Sequence, residues 1–136
     1  DKMLGWMKAK VIAPLIEERE ARMKVEMKRM AELVESTVDY MHAHYTSDIS
    51  LEQCADLAGT TPYTLSKYFK QITGVNFIDY LTELRIEKAK ALLAETDLRI
   101  NDIAVRVGYQ QRYFNRIFKK QVGMTPGQFR EQAGAS

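Results

Sequence analysis

The sequence INDIAVRVGYQQRYFNRIF, from Ile100 to Phe118, has the pattern of two short helices joined by a tight turn. Gly108 stands between the two helices, and glycine readily adopts the positive φ that such a turn requires. Apolar residues recur at intervals of three and four on both sides of this glycine, which is typical of amphipathic helices. The second helix continues into Lys119 and Lys120, so that one of its faces is basic. The stretch therefore predicts a helix-turn-helix.

The same pattern occurs a second time, 49 residues earlier in the chain. Residues 48–81 align with residues 97–130 at this offset, and no gap is needed. The matched pairs include Asp48 with Asp97, Ala55 with Ala104, Gly59 with Gly108, Phe69 with Phe118, Lys70 with Lys119 and Gly74 with Gly123. Two copies are too few for a solenoid, which needs about three stacked repeats. The repeat therefore predicts one domain with two similar halves.

Capping residues and helix-ending glycines predict the other helices. Ser50 is followed three residues later by Gln53, which is the pattern of a capping box. Thr61 with Pro62 begins the next helix, and Asn76 caps a longer one. The predicted helices cover residues 34–45, 51–58, 62–73, 77–95, 97–107, 110–122 and 125–132. No segment alternates apolar and polar residues with a period of two, so no strand is predicted.

The predicted fold class is all-α, with two homeodomain-like helix-turn-helix subdomains joined by a long linker helix. A helical extension precedes this domain. The predicted divisions are an extension over residues 1–33 and a domain over residues 34–136, which contains a first helix-turn-helix (50–74), a linker helix (76–96), a second helix-turn-helix (98–123) and a C-terminal helix (125–133).

The N-terminal extension is rich in methionine, lysine and glutamate, and Pro14 is predicted to start or to kink a helix there. Two series of apolar residues then recur every seven positions, as in the seam of a coiled coil. These series are Ile16, Met23 and Met30, and Met27, Val34 and Met41. One interpretation is a solvated linker helix. The other is a coiled coil over residues 14–41 that pairs two chains into a homodimer or relays a signal from an upstream domain.

Composition excludes several classes of protein. The chain has 136 residues, a net charge of +2 and a single cysteine, Cys54, which cannot form an internal disulfide. No segment approaches the roughly 18 apolar residues of a membrane span, and no secretory signal is present at the start. The chain begins at Asp1 without a methionine, so we expect a piece of a longer protein. The charge is local: residues 110–121 contain four basic residues and no acidic one.

Each second helix of the repeat carries a polar stripe with the spacing i, i+3, i+4, i+7. The first stripe is Tyr63, Ser66, Lys67 and Lys70, and the second stripe is Arg112, Asn115, Arg116 and Lys119. Arginine bridges two acceptors of guanine, asparagine pairs with adenine, and lysine and serine reach phosphates. The alternative is an ordinary solvated face. Two copies at a fixed spacing favour DNA binding.

The predicted linker helix has a length that suits duplex DNA. About 19 residues at ~1.5 Å each span roughly 28 Å, and successive major grooves on one side of the duplex are ~34 Å apart. One chain can therefore present two recognition helices, over about residues 62–73 and 110–122, to adjacent major grooves. Because the two halves face the same way, the predicted site is tandem and not palindromic.

Residues 33–130, which are 98 of the 136, resemble the arabinose-regulator (AraC/XylS) family of bacterial transcription regulators. The resemblance lies in DISLEQCADLAG, YFKQITGVNFIDYLTELRIEKAKALLAET, INDIAVRVGY and YFNRIFKKQVGMTPGQFR. It implies seven helices with two helix-turn-helix units. It also implies that Tyr63, Ser66 and Lys67, with Arg112, Asn115 and Arg116, lie where the family contacts bases and phosphates. With the residues beside the stripes, the predicted DNA-binding set is Thr61, Tyr63, Ser66, Lys67, Lys70, Gln110, Gln111, Arg112, Asn115, Arg116 and Lys119.

The resemblance also implies partners for the whole protein. We expect regulation of transcription at a promoter, with RNA polymerase as a partner and activation as the outcome; repression is the alternative. A sensor domain is expected upstream of this chain. The DNA-binding part is expected in the cytoplasm, and attachment of the full-length protein to a membrane is a further hypothesis. No cofactor and no metal are expected.

Two other functions are disfavoured by the residues. An enzyme is disfavoured because His42 and His44 point about 160° apart on a helix and do not share a metal. Cys54 is expected on the inner face of a helix, as a packed small residue and not as a nucleophile. The remaining alternative is a helical protein-interaction module without DNA binding, against which Arg116 and Lys119 argue.

Overall fold

The computed structural model describes the backbone of residues 2–135 and the side chains of residues 15–134. This part of the chain forms helices and connecting turns and contains no strand, which confirms the all-α prediction. The helices are α1 (Lys2–His44), α2 (Leu51–Ala58), α3 (Pro62–Thr73), α4 (Phe77–Glu95), α5 (Ile100–Arg106), α6 (Gln111–Val122) and α7 (Pro126–Ala135).

The N-terminal extension and the first helix of the domain form one continuous helix, α1, of 43 residues. The prediction of a separate helix over residues 34–45 was therefore wrong. Residues 30–36 contain neither glycine nor proline, so nothing in the sequence ends the helix there. The helix also begins before Pro14, so this proline does not start it. The alternative, a kink at Pro14, stays a prediction.

The two ends of the seven-residue pattern in α1 have different surroundings. Ile16, Met23 and Met27 are exposed, whereas Val34 and Met41 are buried in the core of this chain. Burial inside the chain removes Val34 and Met41 from any contact with a second chain. A coiled coil over the whole of residues 14–41 is thus not compatible with this fold, and only the exposed part of the seam stays available.

The N-terminal caps of α2, α3 and α4 agree with the sequence. The Ser50 hydroxyl oxygen accepts a hydrogen bond from the Gln53 amide at 3.0 Å, and Thr61 and Asn76 make equivalent bonds. The second half of the predicted capping box at Ser50 is absent. The side chain of Gln53 instead donates to the hydroxyl of Tyr40 on α1 at 3.3 Å, so tertiary packing has replaced the local bond.

The second copy of the repeat differs from the first at its helix starts. Helix α5 begins at Ile100, three residues later than predicted, and α6 begins at Gln111 with Gln110 as its N-cap. Neither Arg99 nor Gln110 makes a side-chain cap, so the copy has lost the polar caps of the first. Helix α7 has a complete capping box, in which Thr125 and Gln128 bond each other's backbone amides at 2.9 and 3.1 Å.

Two hydrophobic cores lie along α4. The first core consists of Val34, Met41, Cys54, Ala55, Leu65, Phe69, Phe77, Leu81 and Leu84, and the second core consists of Ile86, Ala89, Leu93, Ile103, Ala104, Val107, Phe114 and Phe118. The N-terminal part of α4 packs in the first core and its C-terminal part in the second. Tyr45, just after α1, packs against both cores. We call the helices around each core the first half and the second half.

Candidate nucleic-acid interface

Each half contains two helices that cross at a glycine turn. Gly59 and Gly108 have φ values of +71° and +95°, a region that favours glycine. Ala55 and Ala104 are fully buried on the first helix of each pair, so the second helix packs close to it. The repeat detected in the sequence thus corresponds to a repeated helix-turn-helix geometry, formed by α2 with α3 and by α5 with α6.

The inner faces of α3 and α6 fix which side chains point outward. A rotation of about 100° per residue predicts that Leu65, Phe69 and Ile72 share the inner face of α3 and that Phe114 and Phe118 share that of α6. Leu65, Phe69, Phe114 and Phe118 are buried, whereas the side chain of Ile72 is 46% exposed. It lies in the last turn of α3, beyond the part of the face that other helices cover.

The first stripe lies on the outer side of α3. Tyr63 is 79% exposed, Lys67 and Lys70 are also exposed, and Ser66 is half-buried. Thr61, at the N-terminus of this helix, is exposed but already has a structural role. Its hydroxyl accepts from the backbone of Thr64 at 3.2 Å and donates to the hydroxyl of Thr64 at 2.9 Å.

The second stripe is exposed along its length. Arg112, Asn115, Arg116 and Lys119 are all exposed, as are Gln110 and Gln111 at the start of α6. Among the residues with described side chains, the ion pair is Lys90 with Glu87 on α4, and no carboxylate pairs with the basic groups of α6. Unpaired cations on one helical face produce a positive field that attracts polyanions.

An aromatic group beside the second stripe was not predicted from the sequence. Tyr113 is 46% exposed, and the guanidinium of Arg116 lies 5.8 Å from the centroid of its ring. The ring of Tyr113 also meets the ring of Tyr109 at 5.3 Å, edge to face. The spacing i, i+3 between Tyr113 and Arg116 was the available signal, because such residues are neighbours on a helix.

Helix α4 contributes residues to a groove beside each stripe. Ile78 and Leu81 line a groove that also contains Arg112 and Arg116 of the second stripe. The same two residues line a second groove, which contains Ser66 of the first stripe. Ser66 of the first stripe and Arg112 and Arg116 of the second stripe therefore border the same short segment of α4. Ile78 lines both grooves, and its side chain is 71% exposed.

The two histidines contact tyrosines of the fold, and the cysteine is part of a hydrophobic core. A ring nitrogen of His42 and the hydroxyl of Tyr80 are 3.1 Å apart, and the ring of His44 lies 4.4 Å from that of Tyr40. Cys54 is buried in the first core, and this burial raises the pKa of its thiol. Among residues 15–134, whose side chains are described, no cluster of metal-binding side chains is found. In the described part of the chain, no helix is sufficiently long and apolar to cross a membrane.

Comparison with known proteins connects this geometry to a family. The helix-turn-helix domain family matches residues 54–132 of the chain. The bifunctional transcriptional activator and DNA repair enzyme AdaA of Bacillus subtilis is 35% identical over 104 residues. This match covers 76% of the present chain and 49% of AdaA, so the chain spans about half the length of this relative.

Solved structures show the same fold. The C-terminal domain of AraT, a response regulator from Geobacillus stearothermophilus, is 41% identical, with a TM-score of 0.72 over 74% of this chain and 84% of that chain. A transcriptional regulator from Chromobacterium violaceum, described as containing an AraC-type DNA-binding domain, is 26% identical. Its TM-score is 0.70, and the match covers 76% of this chain and 93% of the other.

Proposed function

Since this chain belongs to the AraC/XylS family of helix-turn-helix transcription regulators, which bind DNA in a sequence-specific manner, we propose that it places α3 and α6 in adjacent major grooves of a promoter. One observation carries the proposal. Arg112 and Arg116 of the second stripe and Ser66 of the first stripe line two grooves that share Ile78 and Leu81 of α4. A single duplex lying along this side of α4 meets both stripes.

The chemistry of the exposed groups suggests a division of roles. Arg116 and Asn115 have the donor and acceptor patterns that read guanine and adenine in the major groove. Lys67, Lys70 and Lys119 are point charges on flexible stems and suit phosphates. Thr61, Tyr63, Ser66, Gln110, Gln111 and Arg112 complete the proposed contact set. Of these, Thr61 acts through its backbone position, because its hydroxyl is held by Thr64.

The arrangement of the halves determines the proposed DNA site. Helices α3 and α6 occupy equivalent positions in two copies of a repeat that follow each other along the chain. A monomer therefore recognises two different half-sites in tandem, about one helical turn or ~10 base pairs apart. The divisions proposed for the chain are residues 1–33 as a helical linker and residues 34–136 as the DNA-binding domain.

The whole protein is proposed to be a regulator with further parts. The chain spans 49% of AdaA and smaller shares of several other relatives, which supports a sensor domain outside this chain. Transcription activation through RNA polymerase is the proposed output, with the DNA-binding part in the cytoplasm; membrane attachment of the whole protein is a separate hypothesis. The helix-turn-helix domain itself has no catalytic role, and we propose none for this chain.

A homodimer is proposed through the exposed part of α1. Leu15, Ile16, Met23 and Met27 expose about half or more of their surface, and three of these residues belong to the seven-residue series. Exposed apolar residues at this spacing are typical of a helix that pairs with a second helix. The paired segment then ends before Val34, where the series enters the first core.

Selection of binding sites from random duplex DNA tests the proposed function. We expect enrichment of one asymmetric sequence with two separated conserved blocks. Affinity for this sequence should fall linearly on a log–log plot against salt, because bound lysines and arginines release counterions. Lys67→Ala should weaken the binding, and Lys90→Ala is the matched control, since Lys90 is a lysine of α4 paired with Glu87.

Two results would contradict the proposal. One is the absence of any enriched sequence. The other is an equal effect of Lys67→Ala and Lys90→Ala on the binding of the enriched sequence. Either result, together with a protein partner that binds independently of salt, would favour the helical interaction module.

A further inference from the structure

A nearly buried arginine occupies the junction between the two cores. Arg85 on α4 follows Leu84 of the first core and precedes Ile86 of the second core. Its side chain is only 8% exposed. A buried guanidinium is costly unless its donors are satisfied, so its contacts indicate what it holds in place.

On one side, Arg85 binds the segment that follows α1. Its Nε donates to the carbonyl oxygen of Tyr45 at 2.8 Å, and one terminal nitrogen donates to the carbonyl oxygen of Ser47 at 2.8 Å. This segment connects α1 to α2 in the first half. A planar guanidinium donates along two fixed directions at once, which a lysine ammonium on its flexible stem does not reproduce.

On the other side, Arg85 meets the turn of the second half. Its guanidinium lies 5.0 Å from the centroid of the Tyr109 ring. A Cβ atom added at Gly108 would lie 3.1 Å from this guanidinium and 2.9 Å from the carbonyl oxygen of Tyr45. The lack of a side chain at Gly108 therefore lets the turn before α6 approach Arg85 and Tyr45 together.

The contacts continue from Arg85 to the second stripe. The ring of Tyr109 packs on the ring of Tyr113 at 5.3 Å, and the guanidinium of Arg116 lies 5.8 Å from that second ring. The side chain of Tyr45 also packs in both cores. Arg85 thus connects the backbone of the first half with the start of the recognition helix in the second half.

We propose that Arg85 is a positioning residue that fixes the two recognition helices relative to each other, and so determines the half-site spacing that the protein accepts. This inference rests on the proposed DNA binding. Arg85 does not itself need to contact DNA, since its side chain is nearly buried and bonded to two carbonyls. A rigid joint gives the second helix a high effective concentration only at the matching groove spacing.

The test uses the selected full site, the same site with one or two base pairs inserted or removed between its blocks, and a single half-site. Fluorescence anisotropy gives the affinity of each duplex. For the unmodified protein we expect a sharp maximum at the selected spacing. For Arg85→Lys, which keeps the charge, we expect about tenfold weaker binding to the full site, a flatter dependence on spacing and unchanged half-site affinity.

Arg130→Lys is the matched control. Arg130 also donates to two backbone carbonyls, those of Leu93 at 3.1 Å and Thr96 at 3.2 Å, but α7 and the end of α4 both belong to the second half. Arg130→Lys should lower the free energy of unfolding, but the DNA affinity should keep its sharp dependence on half-site spacing. Thermal melting of both variants tests whether they are folded at the assay temperature.

Tyr109→Leu provides a second, independent variant. It removes the ring from Arg85 and leaves both carbonyl bonds in place, and it should flatten the dependence on spacing in the same way. If Arg85→Lys does not fold, this variant decides the question.

The inference is overturned if the variants keep the sharp maximum of the unmodified protein, if Arg130→Lys flattens it equally, or if Arg85→Lys loses half-site affinity in the same proportion. No binding by the unmodified protein would instead refute the proposed function.

Discussion

At the scale of single residues, the second stripe contains two kinds of cation. Arg116 lies over the ring of Tyr113, which limits its freedom and directs its planar donors, whereas Lys119 has no partner among the described side chains. An arginine oriented in this way suits a base edge, and a free lysine suits a phosphate. The two residues are therefore expected to respond differently to DNA sequence.

Arg116→Ala is expected to weaken binding to the selected site by about 1–3 kcal/mol, or roughly five- to 150-fold, and to relax the preference at one base pair. Lys119→Ala is expected to weaken binding to all DNA sequences alike. It should also reduce the slope of log affinity against log salt concentration by about 1. Titrations of the selected site and of single-base variants at several salt concentrations measure both effects. A loss for Arg116→Ala that is uniform over all sequences would refute its role in reading a base.

Helical periodicity predicts which residues are buried, but not which distant residues they contact. Helical periodicity identified Leu65, Phe69, Phe114 and Phe118 as core, because period and burial are directly related. The role of Arg85 was not visible, since its partners Tyr45 and Ser47 lie about 40 residues away in the chain. Ile72 was misassigned for a similar reason: periodicity gives a face but not how far along the helix other elements cover it.

At the scale of elements, Gly108 combines two constraints that can be separated. Its φ of +95° disfavours any other residue, and the space for a Cβ is occupied by Tyr45 and Arg85. Gly123 has a similar φ of +89°, but a Cβ added there would meet no atom within 4 Å, so it shares only the first constraint. The difference between a substitution at Gly108 and the same substitution at Gly123 therefore gives the cost of the contact alone.

Gly123→Ala is expected to lower the free energy of unfolding by about 1–2 kcal/mol, the cost of positive φ. Gly108→Ala is expected to cost about 1–3 kcal/mol more, because the added methyl group overpacks the joint. Urea unfolding of the two variants and the parent measures the difference. Equal losses of stability would show that the approach of the turn to Arg85 is not tight in solution.

Helix boundaries were predictable where local capping determines them. Ser50, Thr61 and Asn76 each accept the expected backbone hydrogen bond, and α2, α3 and α4 have the predicted bounds. The predicted start of α5 at Asp97 was wrong by three residues, because Arg99 occupies the N-cap position without a side-chain cap that the sequence could reveal. The continuity of α1 was missed because the apolar face formed by Val34, Val38, Met41 and Tyr45 was interpreted as a separate short helix.

At the scale of the whole molecule, the exposed part of α1 predicts a dimer. The double substitution Met23→Lys and Met27→Lys replaces two exposed apolar residues of the seam by charges, and the first core is untouched. Sedimentation equilibrium should show the parent chain as a concentration-dependent dimer and the variant as a monomer. Thermal unfolding at low protein concentration should be the same for both.

A substitution further along the same helix is the control. Met41→Lys should unfold the first half, because Met41 is fully buried in its core. A parent chain that stays monomeric over the whole accessible range of concentration would contradict pairing through this segment and leave the solvated linker helix as the better interpretation.

The unbroken course of α1 has a geometric consequence. Val34 and Met41 anchor the end of this helix in the first core, and no break separates them from Lys2. Each residue of a helix turns it by about 100° and advances it by ~1.5 Å. Inserting one alanine near Val25 therefore rotates everything upstream by about 100° about the helix axis, whereas inserting seven returns it to within about 20°. The number of residues between Val34 and any group attached upstream therefore sets the direction of that group about the axis of α1.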